Sequence, residues 1–134
     1  MGVPKTMPAK VVQPDVFPRL CGILRSFAAD YDIQSDTPDN FTLVVKDVIH
    51  RKGRVWFASI QCKKNYVTFH LMPLYMNAAM QKRVTPALKK RMQGKACFNF
   101  TEVDEDLFAS LAELVGTASA GYSAWLEAGG IRRE

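Results

Sequence analysis

Between Asp47 and Glu102 the chain has no acidic residue. That absence excludes the paired carboxylates of glycosidase-type chemistry from the interval. It also leaves the interval's eleven lysines and arginines without local compensation: residues 48–101 carry +11, the rest of the chain −6, and the total is +5. A chain divided in this way is dipolar, and its middle segment is suited to attract phosphates or an acidic partner.

Other chemistry is scarce too. The three cysteines, Cys21, Cys62 and Cys97, are odd in number, far apart and free of any C-x-x-C pair, which argues against a disulfide framework or a zinc site and points to a reducing compartment. No run approaches the roughly 18 apolar residues of a membrane span. Residues 1–14, "MGVPKTMPAKVVQP", lack the apolar core of a secretory signal, so the chain reads as soluble and cytoplasmic, with no membrane contact and no cofactor. Met1-Gly2 with Thr6 fits a loose myristoylation pattern, one short enough to arise by chance.

What is present supports one compact domain. With 134 residues, 48% of them apolar, the chain is long enough for a real core and too short for two. Residues 1–14 read as a proline-spaced tail and 15–134 as the domain. In "PDVFPRLCGILRSFAADY", Val16, Leu20, Ile23, Leu24 and Phe27 recur at helical spacing, with Asp15 placed to cap and Pro18 in the first turn. The segment "DIQSDTPDN" reads as a polar turn.

From Phe41 to about Tyr75 the period becomes two. A two-residue turn at Lys52-Gly53 sets Ile49 opposite Trp56 and Val45 opposite Ile60; a second at Lys64-Asn65 sets Cys62 opposite Val67 and Ile60 opposite Phe69. One face then carries Phe41, Leu43, Val45, Ile49, Trp56, Ala58, Ile60, Cys62, Val67, Phe69 and Leu71. The other carries Lys46, Phe57, Ser59, Gln61, Lys63, Tyr66, Thr68, His70 and Met72. After Met72-Pro73, "LYMNAAMQK" reads as a short helix. Thr85-Pro86 caps another, with Gly94 placed to end it. "GKACFNF" alternates again, with Ala96, Phe98 and Phe100 inward and Cys97 and Asn99 outward. Asp104, Glu105 and Asp106 open a last helix, and Gly116, Gly121 and Gly129-Gly130 punctuate the remainder, with Tyr122, Trp125 and Leu126 docking a final turn or a separate short helix. The fold expected is α+β, with one predominantly antiparallel sheet of about four or five strands and helices on the Trp56, Ile60 and Phe69 face.

The stretches "KKNYVTFHLMPLY", "LKKRMQGKACFNF" and "VDEDLFASLAEL" resemble the small bacterial YdhG-like family of unknown function, over about residues 55–115. The shared residues are Tyr66, Phe69, Met72, Pro73, Gly94, Lys95 and Phe100, most of them structural. The resemblance implies an α+β fold with an antiparallel sheet and no agreed reaction. A frataxin-like iron-chaperone label is sometimes attached to the family. Iron delivery of that kind uses clustered carboxylates, and the run Asp104, Glu105, Asp106 has another use: acids in a first helical turn each contribute about 0.3–1 kcal/mol against the helix dipole.

Two groups of residues are candidates for function. Lys82, Arg83, Lys89, Lys90 and Lys95 are suited to phosphate contacts; without a helix-turn-helix, RNP or zinc-finger signature, specific nucleic-acid recognition is not indicated. Ser59, Gln61, Thr68, His70, Cys97 and Asn99 share the polar sheet face. Thiol catalysis there needs a base within hydrogen-bond reach, and no nucleophile signature surrounds Cys97 or His70. The sequence therefore reads first as a non-catalytic binding module for an anionic ligand or acidic protein. A small enzyme centred on His70 and Cys97 is the alternative, with a frataxin-like iron chaperone behind it.

Overall fold

The computed structural model describes residues 12–50 and 53–125, with backbone alone over 47–50 and 123–125. It is α+β, as expected. Helix α1 (Val16–Arg25) precedes strands β1 (Tyr31–Thr37), β2 (Asn40–His50), β3 (Gly53–Cys62) and β4 (Val67–Leu71). Three short helices follow: α2 (Met72–Met76), α3 (Ala78–Gln81) and α4 (Pro86–Lys89). Strands β5 (Met92–Gln93) and β6 (Cys97–Phe100) lead to the long helix α5 (Glu105–Trp125). The strands form one antiparallel sheet in the order β1-β2-β3-β4-β6-β5.

The sheet has six strands, more than expected, and two elements account for the excess. "DIQSDT", read as a turn, is most of edge strand β1. Both its faces meet solvent apart from buried Tyr31, so it needs no apolar alternation, and its acids Asp36 and Asp32 pair with Arg25 and Arg54. The second is β5. The helix begun at Thr85, whose hydroxyl accepts from the Leu88 N–H, stops at Lys89 rather than at Gly94. Gly94, at φ +81°, instead turns the chain between β5 and β6, a conformation that favours glycine.

Helix α1 buries Val16, Leu20, Cys21 and Leu24 at helical spacing. Asp15 occupies its N-cap position without a side-chain cap bond. Asp104 does cap α5, its carboxylate accepting from the Leu107 N–H at 3.1 Å, and Arg19 forks onto both carboxylate oxygens of Glu105. Helix α5 runs unbroken through Gly116 and Gly121 rather than dividing there. A side chain at Gly116 would touch the Phe27 ring. The Trp125 side chain, Leu126 and Gly129-Gly130 lie outside the described residues. Gln13, at the border of the expected tail, is tied down: its N–H donates to the Thr101 carbonyl and its side chain accepts from the Val103 N–H.

One face of the sheet and the helices share a single core in which Phe41, Phe57, Ile60, Phe69 and Phe98 are fully buried beside Leu20, Leu24, Leu111 and Val115. The β3–β4 register agrees with the sequence reading: Ile60 opposes Phe69 and Cys62 opposes Val67. The β2–β3 register does not. Phe41, not Val45, opposes Ile60, and Ile49 opposes Arg54 rather than Trp56. Lys52, half of the expected turn, lies outside the described residues.

The hairpin closes with His50 opposite Gly53, one residue earlier than expected, and the pairing is irregular at two places, between Val44 and Ile49 and between Leu43 and Val44, the latter a β-bulge. Leu43 pairs with Ala58 and Val44 with Trp56, so Phe57 is an extra residue. Phe57 and Ala58 consequently both point into the core, at 0% exposure each. Phe57 is held there by Tyr31, stacked at 4.2 Å and 6°, and by the Tyr122 ring at 5.8 Å. The faces assigned to Trp56 and Phe57 from alternation are thus reversed, because period-two reading carries parity through a bulge that shifts it by one.

Candidate functional site

The six polar-face candidates gather on the sheet face away from the core. Strand pairing sets them in two rows. Thr42, Ser59, His70, Cys97 and Gln93 follow one another across β2, β3, β4, β6 and β5. Asn40, Gln61, Thr68 and Asn99 form the neighbouring row. Together with Trp56, Lys63 and Tyr66, residues of these rows line an open cavity of about 350 Å³. Among the described residues, none from a helix contributes to it. Its volume lies at the small end of ligand sites.

Much of the floor is bonded internally. Thr42 gives its hydroxyl proton to Asn40 Oδ1 at 2.7 Å, so the 2.7 Å contact between Thr42 and Ser59 has Ser59 as donor, and Ser59 Oγ accepts in turn from Gln61 Nε2 at 3.0 Å. Thr42 and Ser59 are accordingly tolerated at 1% and 0% exposure. Lys63 donates to Gln61 Oε1, and Asn99 Nδ2 to Gln93 Oε1.

The centre is different. His70 Nδ1 lies 3.1 Å from Cys97 Sγ, a direct cross-strand pair. When the thiol donates to Nδ1, the ring hydrogen sits on Nε2, and Nε2 has no partner among the described residues. Neither has Asn99 Oδ1. Two residues of the lining thus each carry a buried polar atom with no partner among the described residues, an arrangement that costs stability unless water or a ligand supplies one; with the thiol donating to Nδ1, the His70 atom is a donor and the Asn99 atom an acceptor. Burial lowers the His70 pKa, so the ring is neutral at neutral pH. Trp56 meets its edge at 5.7 Å and 78°, a wall that the bulge creates. Among the described residues the lining has one cation, Lys63, and no carboxylate.

Sequence reading brought Ser59, Gln61, Thr68, His70, Cys97 and Asn99 to one face and missed Trp56 as their wall. The available signal was the apolar run Val55-Trp56-Phe57-Ala58, which no strict alternation accommodates. The basic candidates lie elsewhere. Lys82, Arg83, Lys89, Lys90 and Lys95 are all exposed, line no part of the cavity, and join none of the ion pairs among the described residues. Gln81 links their neighbourhood by donating to both the Leu74 and Lys95 carbonyls. No group of three or more potential metal ligands occurs among the described residues.

The chain matches no family model, no curated protein and no solved structure. No helix among the described residues is long and apolar enough to cross a membrane.

Proposed function

We propose that this chain is a small binding module of YdhG-like kind whose ligand, a small neutral or anionic molecule, sits on the open sheet face. One observation carries the reading: among the described residues, a cavity of about 350 Å³ is lined by an aromatic wall, one lysine and no acid, and two of its lining residues carry buried polar atoms without partners, His70 Nε2 and Asn99 Oδ1. A ligand offering an acceptor to one and a donor to the other, as a carboxylic acid or amide edge does, satisfies both. The absence of carboxylates from the lining disfavours cations.

The test is a titration of the isotope-labelled chain with benzoate, inorganic phosphate and small amides, followed by amide NMR. Saturable shifts centred on His70, Cys97 and Asn99 support the reading. Shifts confined to residues 82–95, or none at millimolar ligand, overturn it.

A second anion surface rests on its own observation, the exposure of Lys82, Arg83, Lys89, Lys90 and Lys95 without ion pairs among the described residues. It suits an acidic protein or a polyanion held by charge rather than by shape. The iron-chaperone alternative has no comparable support, since Asp104 serves as a helix cap and Glu105 pairs with Arg19.

A further inference from the structure

We propose that Cys97, with His70 as its base, is a thiol-exchange site that forms a mixed disulfide with a small carboxylate-bearing thiol delivered as its disulfide. The inference rests on the binding reading above and names its ligand class. Three observations carry it.

The first is the pair itself. Sγ and Nδ1 are 3.1 Å apart, within reach for direct proton transfer, and both belong to strands paired on both edges, so the geometry is held by backbone rather than by a loop. Second, the pair opens on a cavity. Cys97 is half-buried in the lining, in contrast with Cys21, which is buried on the core face of α1. Third, the surroundings select among thiol reactions. Acyl transfer needs N–H donors converging on a developing oxyanion. Here the Leu71 and Asn99 N–H groups that flank the pair are already spent on the Ala96 and Arg91 carbonyls. Displacement at sulfur develops no oxyanion, and its charge passes from one sulfur to the next.

The step balances without a further reagent. Cys97 Sγ attacks one sulfur of R–S–S–R as its proton moves to Nδ1. The Sγ–S bond forms, the S–S bond of the reagent breaks, and the departing thiolate takes the proton from His70 and leaves as R–SH. Cys97 is oxidised and the departing thiol reduced. Lys63, the one cation of the lining, is the partner for the carboxylate of R. No second cysteine lines the cavity, and Cys62 shares the parity of core-facing Ile60, so the adduct persists until another small thiol removes it.

The proton acceptor is the neutral ring, so reactivity rises with pH through the titration of His70, which lies below that of a free histidine. The other titratable groups around it are Cys97 on β6, Lys63 just beyond β3 and Tyr66 just before β4.

The experiment treats the full chain with oxidised glutathione and follows adducts by intact mass and peptide mapping, native and in urea, with Cys62→Ser removing the exposed thiol. The expected result is a single adduct on Cys97 that forms faster in the native than in the unfolded chain. His70→Asn should slow native formation at least about tenfold and leave the unfolded rate unchanged. Equal native and unfolded rates, an adduct on Cys21 instead, or indifference to His70→Asn overturns the proposal. Non-exchanging S-methylglutathione separates the two readings. If it binds Cys97→Ser while the native chain shows no preferred adduct, exchange fails and binding stands; if it binds neither the native chain nor the variant, both fail.

Discussion

Trp56 stands edge-on to His70 at 5.7 Å because its neighbour Phe57 is an extra residue in β3. Without the bulge, Trp56 would share the face of Ile60, and the cavity would lose its aromatic wall. The bulge thus joins core and site: the side chain that fills the core between Tyr31 and Tyr122 is also the one that turns Trp56 outward.

Truncations should separate these roles. Phe57→Ala and Phe69→Ala, both at fully buried positions, should each cost about 3–5 kcal/mol in urea unfolding. Trp56→Ala, at a half-buried position, should cost less and should weaken ligand-induced NMR shifts at His70. A Trp56→Ala cost equal to that of Phe57→Ala would show that Trp56 belongs to the core.

Acid should destabilise the fold through His70. Its folded-state pKa is lowered from 6.5 by burial, so the unfolded chain takes up the proton first; stability is full above 6.5 and falls as the pH drops toward the folded value. Asp36 and Glu105 are also lowered, by Arg25 and Arg19 respectively, and their contributions are full above the ordinary carboxylate range and are lost as the pH falls through and below it. Among the described residues the slope between about pH 6.5 and 5 therefore belongs to His70, and His70→Asn should reduce it. Urea midpoints measured across that interval in both chains provide the check.

The thiols should differ in order. Burial pushes Cys21 up to about 11, so it should resist iodoacetamide until the chain unfolds. Exposed Cys62 and half-buried Cys97 should label in the native protein. Native labelling of Cys21 ahead of either would contradict its burial on the core face of α1.

Removing the cap of α5 gives a stability change without a site change. Asp104→Ala should cost about 0.5–2 kcal/mol by thermal or urea unfolding. It should leave iron and magnesium binding as it is in the unmodified chain; a loss of metal affinity would return the acidic run to the iron-chaperone reading.

Charge reversal at Lys89 and Lys90 to Glu should weaken heparin retention, and retention by the unmodified chain should fall steeply with salt as released counterions lose their advantage. Salt-insensitive retention would argue against an electrostatic surface.

Local rules explain what could be read in advance. Apolar spacing from Val16 to Leu24 specified a helix and its buried stripe, Thr85-Pro86 and Asp104 specified helix starts, and the short Lys64-Asn65 connection specified the β3–β4 register. With that register set, alternation alone carried Ser59, Gln61, Thr68 and His70 to one face. Polar β1 escaped notice because an edge strand with two solvated faces carries no apolar rhythm.

By itself, then, the sequence determined which residues alternate, which helices start where, and that a basic, acid-free middle segment supplies the sheet's polar side. Tertiary structure alone decided that β6 lies against β4, bringing Cys97 to within 3.1 Å of His70 across 27 positions of sequence, and that Phe57 is skipped in pairing, moving Trp56 to their side. The physical reason is one of range. Periodicity records the face on which a side chain lies within its own strand, whereas strand order and bulges are settled by core packing between residues distant in sequence, here Phe57 with Tyr31 and Tyr122.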